Sequence, residues 1–245
     1  MSAKSRTPVW DTCRIQRFPD RAAAGRALAA QLAAYRERPD TLVLALPRGG
    51  VPVAFEVARA IAAPLDLILV RKLGVPGQEE LAMGAISEGG LRVLNQDLTG
   101  VIVMSPDRLA QITERAASEI ARQSRVYRGS RPPPDVRGRT VILVDDGLAT
   151  GTTMRAAISA VRRQAPAQIV VAAPVAAPET VEMLGPLVDE IVVVETPDSL
   201  GAIGLWYIDF AQVCDDEVVA LLHQAAELLR SSSSSCEGGV KAFAN

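Results

Sequence analysis

The chain has 245 residues, of which 49% are hydrophobic and only 4% aromatic, so we expect an aliphatic core large enough for one substantial domain. Its 26 basic residues nearly balance 28 acidic ones, and the formal net charge of −2 argues against a general attraction to nucleic acid. Three scattered cysteines, a polar first stretch and the lack of a run of about 18 apolar residues predict a soluble, cytoplasmic protein without disulfides or a membrane span.

The first half of the chain predicts strands that alternate with helices. Strands are expected at 41–46, 65–70, 81–87 and 91–94. Helices are expected at 21–36, 51–63 and 107–127. Asp20 and Asp107 can cap the first and third helices, and Pro52 suits the first turn of the second. Residues 73–80 read as a loop, and Glu88-Gly89-Gly90 is a hairpin turn signal.

The second half continues the same alternation. Strands are expected at 141–144, 168–173 and 190–194, and helices at 154–163, 178–186 and 215–230. Residues 129–139, rich in Pro, Gly and Arg, favour a surface loop over a domain linker. Residues 231–245 open with five serines and are predicted to be a disordered tail. The alternation predicts a single α/β domain over 10–230 with a doubly wound, mostly parallel sheet.

Residues 141–153 carry the strongest chemical signal, with the sequence Val-Ile-Leu-Val-Asp-Asp-Gly-Leu-Ala-Thr-Gly-Thr-Thr. Four apolar residues fit a buried strand, and Asp145 and Asp146 follow it at the edge where open α/β sheets bind ligands. The carboxylates suit a polyol, and the turn offers backbone amides, threonine hydroxyls and a helix N-terminus to a phosphate. Taken alone, one carboxylate could instead cap the helix while the other faces solvent. A sugar phosphate would satisfy both halves of the pattern.

Other phosphate-binding loops fit this segment poorly. A Walker A loop needs a lysine after its second glycine, whereas Thr152 follows Gly151. The spacing of Gly147 and Gly151 does not give the three-glycine turn of a Rossmann dinucleotide site. A phosphoacceptor receiver domain would need a further aspartate at a later strand end and then a lysine, and neither follows the pair in that arrangement.

The motif resembles the binding motif of type I phosphoribosyltransferases: four apolar residues, two acids, two or three variable residues, then Thr-Gly and Thr or Ser. Residues 141–153 match it throughout, and the similarity covers about residues 20–215. The resemblance implies that Asp145 and Asp146 hold the ribose hydroxyls of 5-phosphoribosyl-1-pyrophosphate (PRPP) and reach Mg²⁺ indirectly, through ribose and water. It also implies that the 5-phosphate is wrapped by Ala149, Thr150, Gly151, Thr152 and Thr153.

The segment Leu46-Pro47-Arg48-Gly49-Gly50 follows the first predicted core strand. It could simply be a tight connection. In the resembled family, a short loop here holds pyrophosphate through backbone amides and a basic side chain, and it often contains a non-proline cis peptide. The resemblance therefore assigns Arg48, Gly49 and Gly50 to pyrophosphate binding. A guanidinium suits a diphosphate because it presents a fork of N–H donors.

The segment near 71–95 begins with Arg71 and Lys72. It is either a solvated charge pair with a hairpin or, as the resemblance implies, a flexible arm that closes over the site during turnover. Closure would exclude water and bring both cations to the leaving group, which would make them catalytic. Residues 74–77 fit a hinge for this arm.

Residues 197–214 contain several of the few aromatic side chains of the protein. In the resembled family a variable hood at this place grips the base. The resemblance implies that Trp206 or Tyr207 stacks on the base and that Asp209 accepts a hydrogen bond from an amine. Core packing or a subunit contact would explain the same residues, and the segment does not match known purine-enzyme hoods residue for residue.

The function implied by the resemblance is transfer of the 5-phosphoribosyl group from PRPP to a small nitrogenous base, with Mg²⁺-dependent release of pyrophosphate. The alternative is a non-catalytic regulator that senses PRPP or a nucleotide on the same fold. His223 is the only histidine and lies among apolar residues of the last helix, so a histidine base is not expected. A homodimer is expected by analogy alone.

Overall fold

A computed structural model of the chain describes residues 17–75, 78–90, 92–94 and 105–237. Its helices, in chain order, are α1 (Arg21–Gln31), α2 (Gly50–Ile61), α3 (Pro106–Arg128), α4 (Thr152–Arg162), α5 (Pro178–Leu184) and α6 (Asp215–Glu237). Its strands are β1 (Thr41–Ala45), β2 (Leu65–Leu67), β3 (Val70–Val75), β4 (Gln78–Ser87), β5 (Arg92–Leu94), β6 (Thr140–Val144), β7 (Gln168–Val175) and β8 (Glu190–Glu195).

Five strands form a parallel sheet in the order β2-β1-β6-β7-β8, and the hairpin strands form a separate antiparallel sheet, β3-β4-β5. Successive residues of the parallel strands point to opposite faces, because side chains alternate along a strand. Val43 and Ile142 therefore pack into the cluster with α1, α2 and α6, whereas Leu44 and Leu143 pack against α4. Helices cover both faces, which confirms the predicted doubly wound α/β fold.

All five residues of β1 and all five of β6 are buried. Strands covered on both faces need continuous apolar sequence rather than alternation, which is why both segments read as unbroken apolar runs. β6 lies between β1 and β7 at the centre of the sheet. β1, which precedes residues 129–139, pairs with β6, which follows them, so the segment connects parts of the chain that share one sheet, and the single domain over 10–230 stays a prediction.

The structure corrects the expectations for 65–80. The single predicted strand at 65–70 is two strands: β2 pairs with β1 in the parallel sheet, whereas β3 starts at Val70 and pairs with β4. The predicted loop at 73–80 consists largely of strand residues, because Leu73 pairs with Gly84 and Val75 with Gln78. An apolar run does not reveal that its partner strand changes partway along. The predicted hinge residues 76–77 lie outside the described part of the chain.

Several helix boundaries also differ from expectation, and two of them have a local explanation. α3 starts at Pro106, and its cap is Ser105, whose side chain accepts a hydrogen bond from the amide of Arg108; Asp107 lies inside the first turn. α6 continues past Arg230 to Glu237, so the first part of the predicted disordered tail is helical. Serine costs only about 0.5 kcal/mol relative to alanine in a helix, which lets a packed helix extend through a serine run. Residues 238–245 lie outside the described ranges.

The predicted hood, 197–214, contains one short 3₁₀ helix, Ile203–Trp206. It is tied to the start of the described chain by a bridge between Phe18 and Tyr207. The hood therefore lies beside α1, above the carboxyl end of the parallel sheet.

Within the described residues, no helix is long and apolar enough to cross a bilayer.

Candidate functional site

The loops after β1 and β6 meet at the carboxyl edge of the parallel sheet. A Cβ atom added at Gly49 would lie 2.1 Å from Oδ2 of Asp146, and one added at Gly50 would lie 2.9 Å from Cα of Asp145. No side chain fits at either position, so the loop needs glycine to approach the aspartates this closely. The peptide bond between Pro47 and Arg48 is cis. The predicted pyrophosphate loop and the predicted diol acceptors are thus direct neighbours.

Asp146 is held by Arg21, a residue that the sequence motifs did not mark. Nε of Arg21 donates to Oδ2 of Asp146 at 2.8 Å, and both side chains are 12% exposed. The same guanidinium donates to the carbonyl of Ala211 at 2.7 Å and lies 3.8 Å from the ring centroid of Phe210. Arg21 therefore joins the hood to the aspartate pair. Since α1 precedes β6 by more than a hundred residues, no local pattern could have revealed this contact.

The protonation of Asp145 and Asp146 is set mainly by their burial. Burial raises the pKa of Asp145 well above its usual range, and the neighbouring charge of Asp146 raises it further, although the amide of Asp146 donates to Asp145 and opposes the shift. Burial also raises the pKa of Asp146, and the hydrogen bond from Arg21 counteracts this effect. Hydroxyl donors or a cation would stabilise the charged forms of these two partly desolvated neighbouring carboxylates, because either reduces their mutual repulsion.

The turn 147–153 has the geometry of an anion cradle. Gly151 adopts a left-handed conformation with φ 64°, and a Cβ atom there would lie 2.7 Å from the side chain of Thr180. Thr180 also donates its hydroxyl hydrogen to the carbonyl of Ala149, and Leu148 bonds to Val175 across the sheet edge. With the turn fixed in this way, the first amides of α4 point toward the bend, where a phosphate can accept from them.

The threonines of the turn differ in their surroundings. The hydroxyl oxygens of Thr150 and Thr152 lie 3.2 Å apart. Thr153 lines a cavity of about 400 Å³ together with Arg48, Arg71 and Lys72. The structure thus brings residues of the predicted 5-phosphate turn, pyrophosphate loop and arm to one cavity, although they come from three separate stretches of sequence.

The same cavity has further charged walls that the sequence analysis missed. Glu119 and Arg122 of α3 and Asp215 at the start of α6 line it. Arg71 donates to Glu119 at 3.0 Å, and a nitrogen of Arg48 lies 3.6 Å from Oδ1 of Asp215. The only sequence signal for these residues was the acidic start of α6, which fits a helix dipole equally well.

The predicted base-binding residues of the hood have other partners. The indole nitrogen of Trp206 donates to the carbonyl of Leu200 at 2.9 Å, and the hydroxyl of Tyr207 donates to the carbonyl of Asp146 at 2.6 Å. Both rings are buried, which leaves neither an open face for stacking. The carboxylate of Asp209 accepts from the amide of Ala211. Trp206 and Tyr207 therefore support the site from behind, as the core-packing alternative supposed.

The exposed apolar side chains of the hood are different ones. Ile208 is 74% exposed, Leu205 is 53% exposed and Phe210 is 36% exposed, and Phe210 is the ring on which Arg21 lies. Tyr207 and Phe210 are in contact, with their ring centroids 5.0 Å apart. Phe210 is therefore the most exposed aromatic ring of the hood.

Within the described ranges, no group of three or more His, Cys, Asp or Glu side chains could hold a metal ion. The carboxylates of Asp145 and Asp146 are hard oxygen donors of the kind that Mg²⁺ accepts, and Mg²⁺ usually keeps several waters and substrate oxygens in its shell. The residues present fit a metal that is held mainly by substrate, and the Mg²⁺ requirement stays a prediction.

Comparison with known proteins gives a consistent family. The family model described as "Phosphoribosyl transferase domain" matches residues 11–192. A Mycobacterium tuberculosis protein, provisionally named a phosphoribosyl transferase, is 43% identical over 208 residues, which are 85% of this chain and 47% of that protein. The chain thus spans about half of the length of this curated relative.

Two further proteins are similar to the chain. A crystal structure of a Thermus thermophilus protein superposes with a TM-score of 0.75 at 43% identity, covering 85% of this chain and 98% of that one. The bifunctional protein PyrR of Deinococcus deserti is 34% identical over 125 residues, which are 48% of this chain and 65% of that protein.

Proposed function

The chain belongs to the phosphoribosyl transferase domain family, and from that premise we propose that it moves the 5-phosphoribosyl group of PRPP to a nitrogenous base and releases pyrophosphate. One observation carries the proposal: the loop with Gly49 and Gly50 touches Asp145 and Asp146. In PRPP the diphosphate is attached to C1, next to the 2- and 3-hydroxyls, so a diphosphate cradle and diol acceptors must be neighbours. The 5-phosphate leaves the ring on its other side, where the turn 149–153 can receive it.

The reaction would break the bond between C1 and the diphosphate oxygen, and the electron pair would leave with pyrophosphate. A ring nitrogen of the base would form the new bond to C1, through an oxocarbenium-like transition state, and any proton on that nitrogen would be released to solvent. The chain would contribute mainly by positioning and by stabilising charge. Arg48, Arg71 and Lys72 would stabilise the leaving diphosphate, and Asp145 and Asp146 would orient the ribose. Mg²⁺ bound through substrate oxygens would supply further charge neutralisation on the leaving group.

The test is pyrophosphate release by the full chain with PRPP, Mg²⁺ and a panel of nitrogenous bases. The matched control is the double variant Asp145→Asn and Asp146→Asn, which keeps the shape of both side chains. Loss of two charge-assisted hydrogen bonds of about 1.5–3 kcal/mol each should lower turnover by about 10²-fold to 10⁴-fold. Equal release by the wild-type chain and the double variant would contradict the assignment of the aspartates.

One contact supports the alternative of a non-catalytic sensor. Oδ2 of Asp146 already accepts a hydrogen bond from Arg21. In a catalytic site, Asp146 would have to keep this contact and bind the ribose through Oδ1. Tight binding of PRPP without turnover of any base in the panel would favour the sensor. Formation of a nucleotide from any one of them would exclude it.

A further inference from the structure

We infer that Arg122 is a further pyrophosphate-binding residue, oriented for that task by Glu119 and Asp215. The inference rests on the proposed function and adds to it a residue from α3, an element that the motifs of the chain leave out. It concerns a surface built from four separate segments: the loop after β1, the start of β3, the second half of α3 and the start of α6.

Glu119 holds the guanidinium of Arg122 in a fixed plane. Nε of Arg122 donates to one carboxylate oxygen of Glu119 at 3.0 Å, and Nη2 donates to the other, also at 3.0 Å. A two-point contact of this kind fixes orientation as well as distance. The third nitrogen, Nη1, donates to Oδ2 of Asp215 at 3.3 Å. Since a guanidinium has five N–H donors, two remain for a ligand.

The two carboxylates also hold the neighbouring arginines. Glu119 accepts from Arg71 at 3.0 Å, and Oδ1 of Asp215 lies 3.6 Å from Arg48. The result is an alternating row in which three arginines are separated by two acids. The hydroxyl of Tyr127 donates to Asp215 at 2.7 Å and holds this carboxylate between Arg122 and Arg48.

Both acids keep their charge at neutral pH. The hydrogen bond from Arg122 is the main cause that lowers the pKa of Glu119 below its usual range. The hydrogen bond from Tyr127 is the main cause that lowers the pKa of Asp215, and Arg122 adds to the effect. Charged acids hold the arginines in place before a ligand arrives, which reduces the ordering cost of binding.

The row faces a cavity of about 400 Å³ in which four cations, with Lys72 as the fourth, outnumber the two acids. An excess of positive charge in a concave site attracts a polyanion. The side chains of Arg48, Arg71 and Arg122 are 36%, 41% and 47% exposed, so a ligand can reach their remaining donors. A diphosphate has oxygens on two phosphorus atoms and can span neighbouring arginines, whereas a single phosphate reaches fewer of them.

The test measures pyrophosphate and inorganic phosphate binding to the full chain with Mg²⁺, by calorimetry. Arg122→Gln should weaken pyrophosphate binding by about 10-fold to 100-fold, the loss expected for a charge-assisted hydrogen bond, and phosphate binding by less. Arg122→Lys should recover part of the affinity. The matched control is Arg115→Gln, because Arg115 is exposed on the same helix about 10 Å away and does not line the cavity.

Equal affinities for the Arg122→Gln and Arg115→Gln variants would overturn the inference, as would equal losses for both anions. If the glutamine variant did not fold, Arg122→Met, which keeps the aliphatic stem, would take its place under the same criteria. In turnover assays, Arg122→Gln should raise KM for PRPP more than it lowers kcat. A wild-type chain that binds pyrophosphate through Arg122 but turns over no base would refute the transferase and leave the inference standing. Turnover that is insensitive to Arg122 would do the reverse.

Discussion

Two arginines of α3, six positions apart, have opposite surroundings. Arg128 is only 1% exposed: it donates to Asp66 at 2.7 Å, to the carbonyl of Leu67 at 2.5 Å, and to Glu88. Arg122 is 47% exposed and lines a cavity from which a ligand can reach its remaining donors. Both are paired with two carboxylates, yet only one of them is open to a ligand.

Arg128, Asp66 and Glu88 form a closed cluster that joins elements of the fold. Asp66 belongs to β2, Glu88 to the turn after β4, and Arg128 to the end of α3, and the hydroxyl of Ser124 also donates to Glu88 at 2.5 Å. Because Arg128 bonds to β2 on one side and to the turn after β4 on the other, the cluster anchors the hairpin to the parallel sheet. Each of the two arginines uses three of its five N–H donors in the hydrogen bonds above, so exposure separates them: the buried arginine indicates a structural role, whereas the exposed one in a cavity indicates a binding site. The pairing itself does not separate the two cases.

The largest effect is expected when the closed cluster is broken. Arg128→Ala leaves two partly buried carboxylates without their shared cation and should lower the free energy of unfolding by about 3–5 kcal/mol. Urea unfolding measures this loss. Arg125→Ala, at an exposed position one turn away, should change the same quantity by no more than about 0.5 kcal/mol. Similar losses for the two variants would show that the buried Arg128 contributes no more to stability than an exposed arginine of the same helix.

Arg21 is an intermediate case, since it is nearly buried but pairs with a site residue. Arg21→Ala should cost about 1.5–3 kcal/mol of stability, the worth of a charge-assisted hydrogen bond. It should also raise the pKa of Asp146 further, because Arg21 is the group that opposes the effect of burial. If turnover needs an ionised pair, the acid limb of the pH–rate profile will move to higher pH. Arg17→Ala, an exposed change in the same segment, should leave the profile in place.

The open cluster is the row of Arg71, Glu119, Arg122, Asp215 and Arg48 along the cavity. In this cluster, Arg48→Gln should affect binding rather than stability. Its ion pair with Asp215 is long and partly exposed, so the free energy of unfolding should change by less than about 1 kcal/mol. Pyrophosphate affinity should fall by about 10-fold to 100-fold, because one charged donor is lost from the cradle. Calorimetry and thermal unfolding on the same sample separate the two effects. A large fall in stability with unchanged affinity would place Arg48 among the structural arginines.

The smallest expected effect is the change in the thermal midpoint when the charge of Asp145 or of Glu88 is removed, and the two changes should have opposite signs. Burial and the neighbouring Asp146 raise the pKa of Asp145 in the folded state, so folding favours its protonated form. That contribution to stability is present below the unfolded pKa of about 4 and is lost as the pH rises through the folded pKa. Asp145→Asn should therefore raise the thermal midpoint at pH 8 and give little gain near pH 4. Glu88→Gln, in the closed cluster, should lower the thermal midpoint at pH 8. If both variants raised the midpoint, or both lowered it, the contrast between the two carboxylates would be wrong.

Much of the fold could be predicted locally. The runs at β1 and β6 are apolar because both faces of the strands are covered, and the capping role of Asp20 was confirmed by its hydrogen bond to the amide of Ala23. The strand-turn-helix around Asp145 lies within one short stretch, so its residues indicate both its shape and its chemistry. The failures came where partners are distant: the break between β2 and β3, and the burial of Trp206 and Tyr207.

The sequence by itself determined the parallel α/β core, the diaspartate turn and the glycine loop, because each depends on contacts between near neighbours in the chain or on simple periodicity. The tertiary structure alone decided that Arg21 reaches Asp146 across 125 positions and that Arg122 reaches Asp215 across 93. It also decided which arginine is closed and which is open. Exposure depends on how the surrounding elements pack, and the identity of a residue in the sequence does not determine that packing.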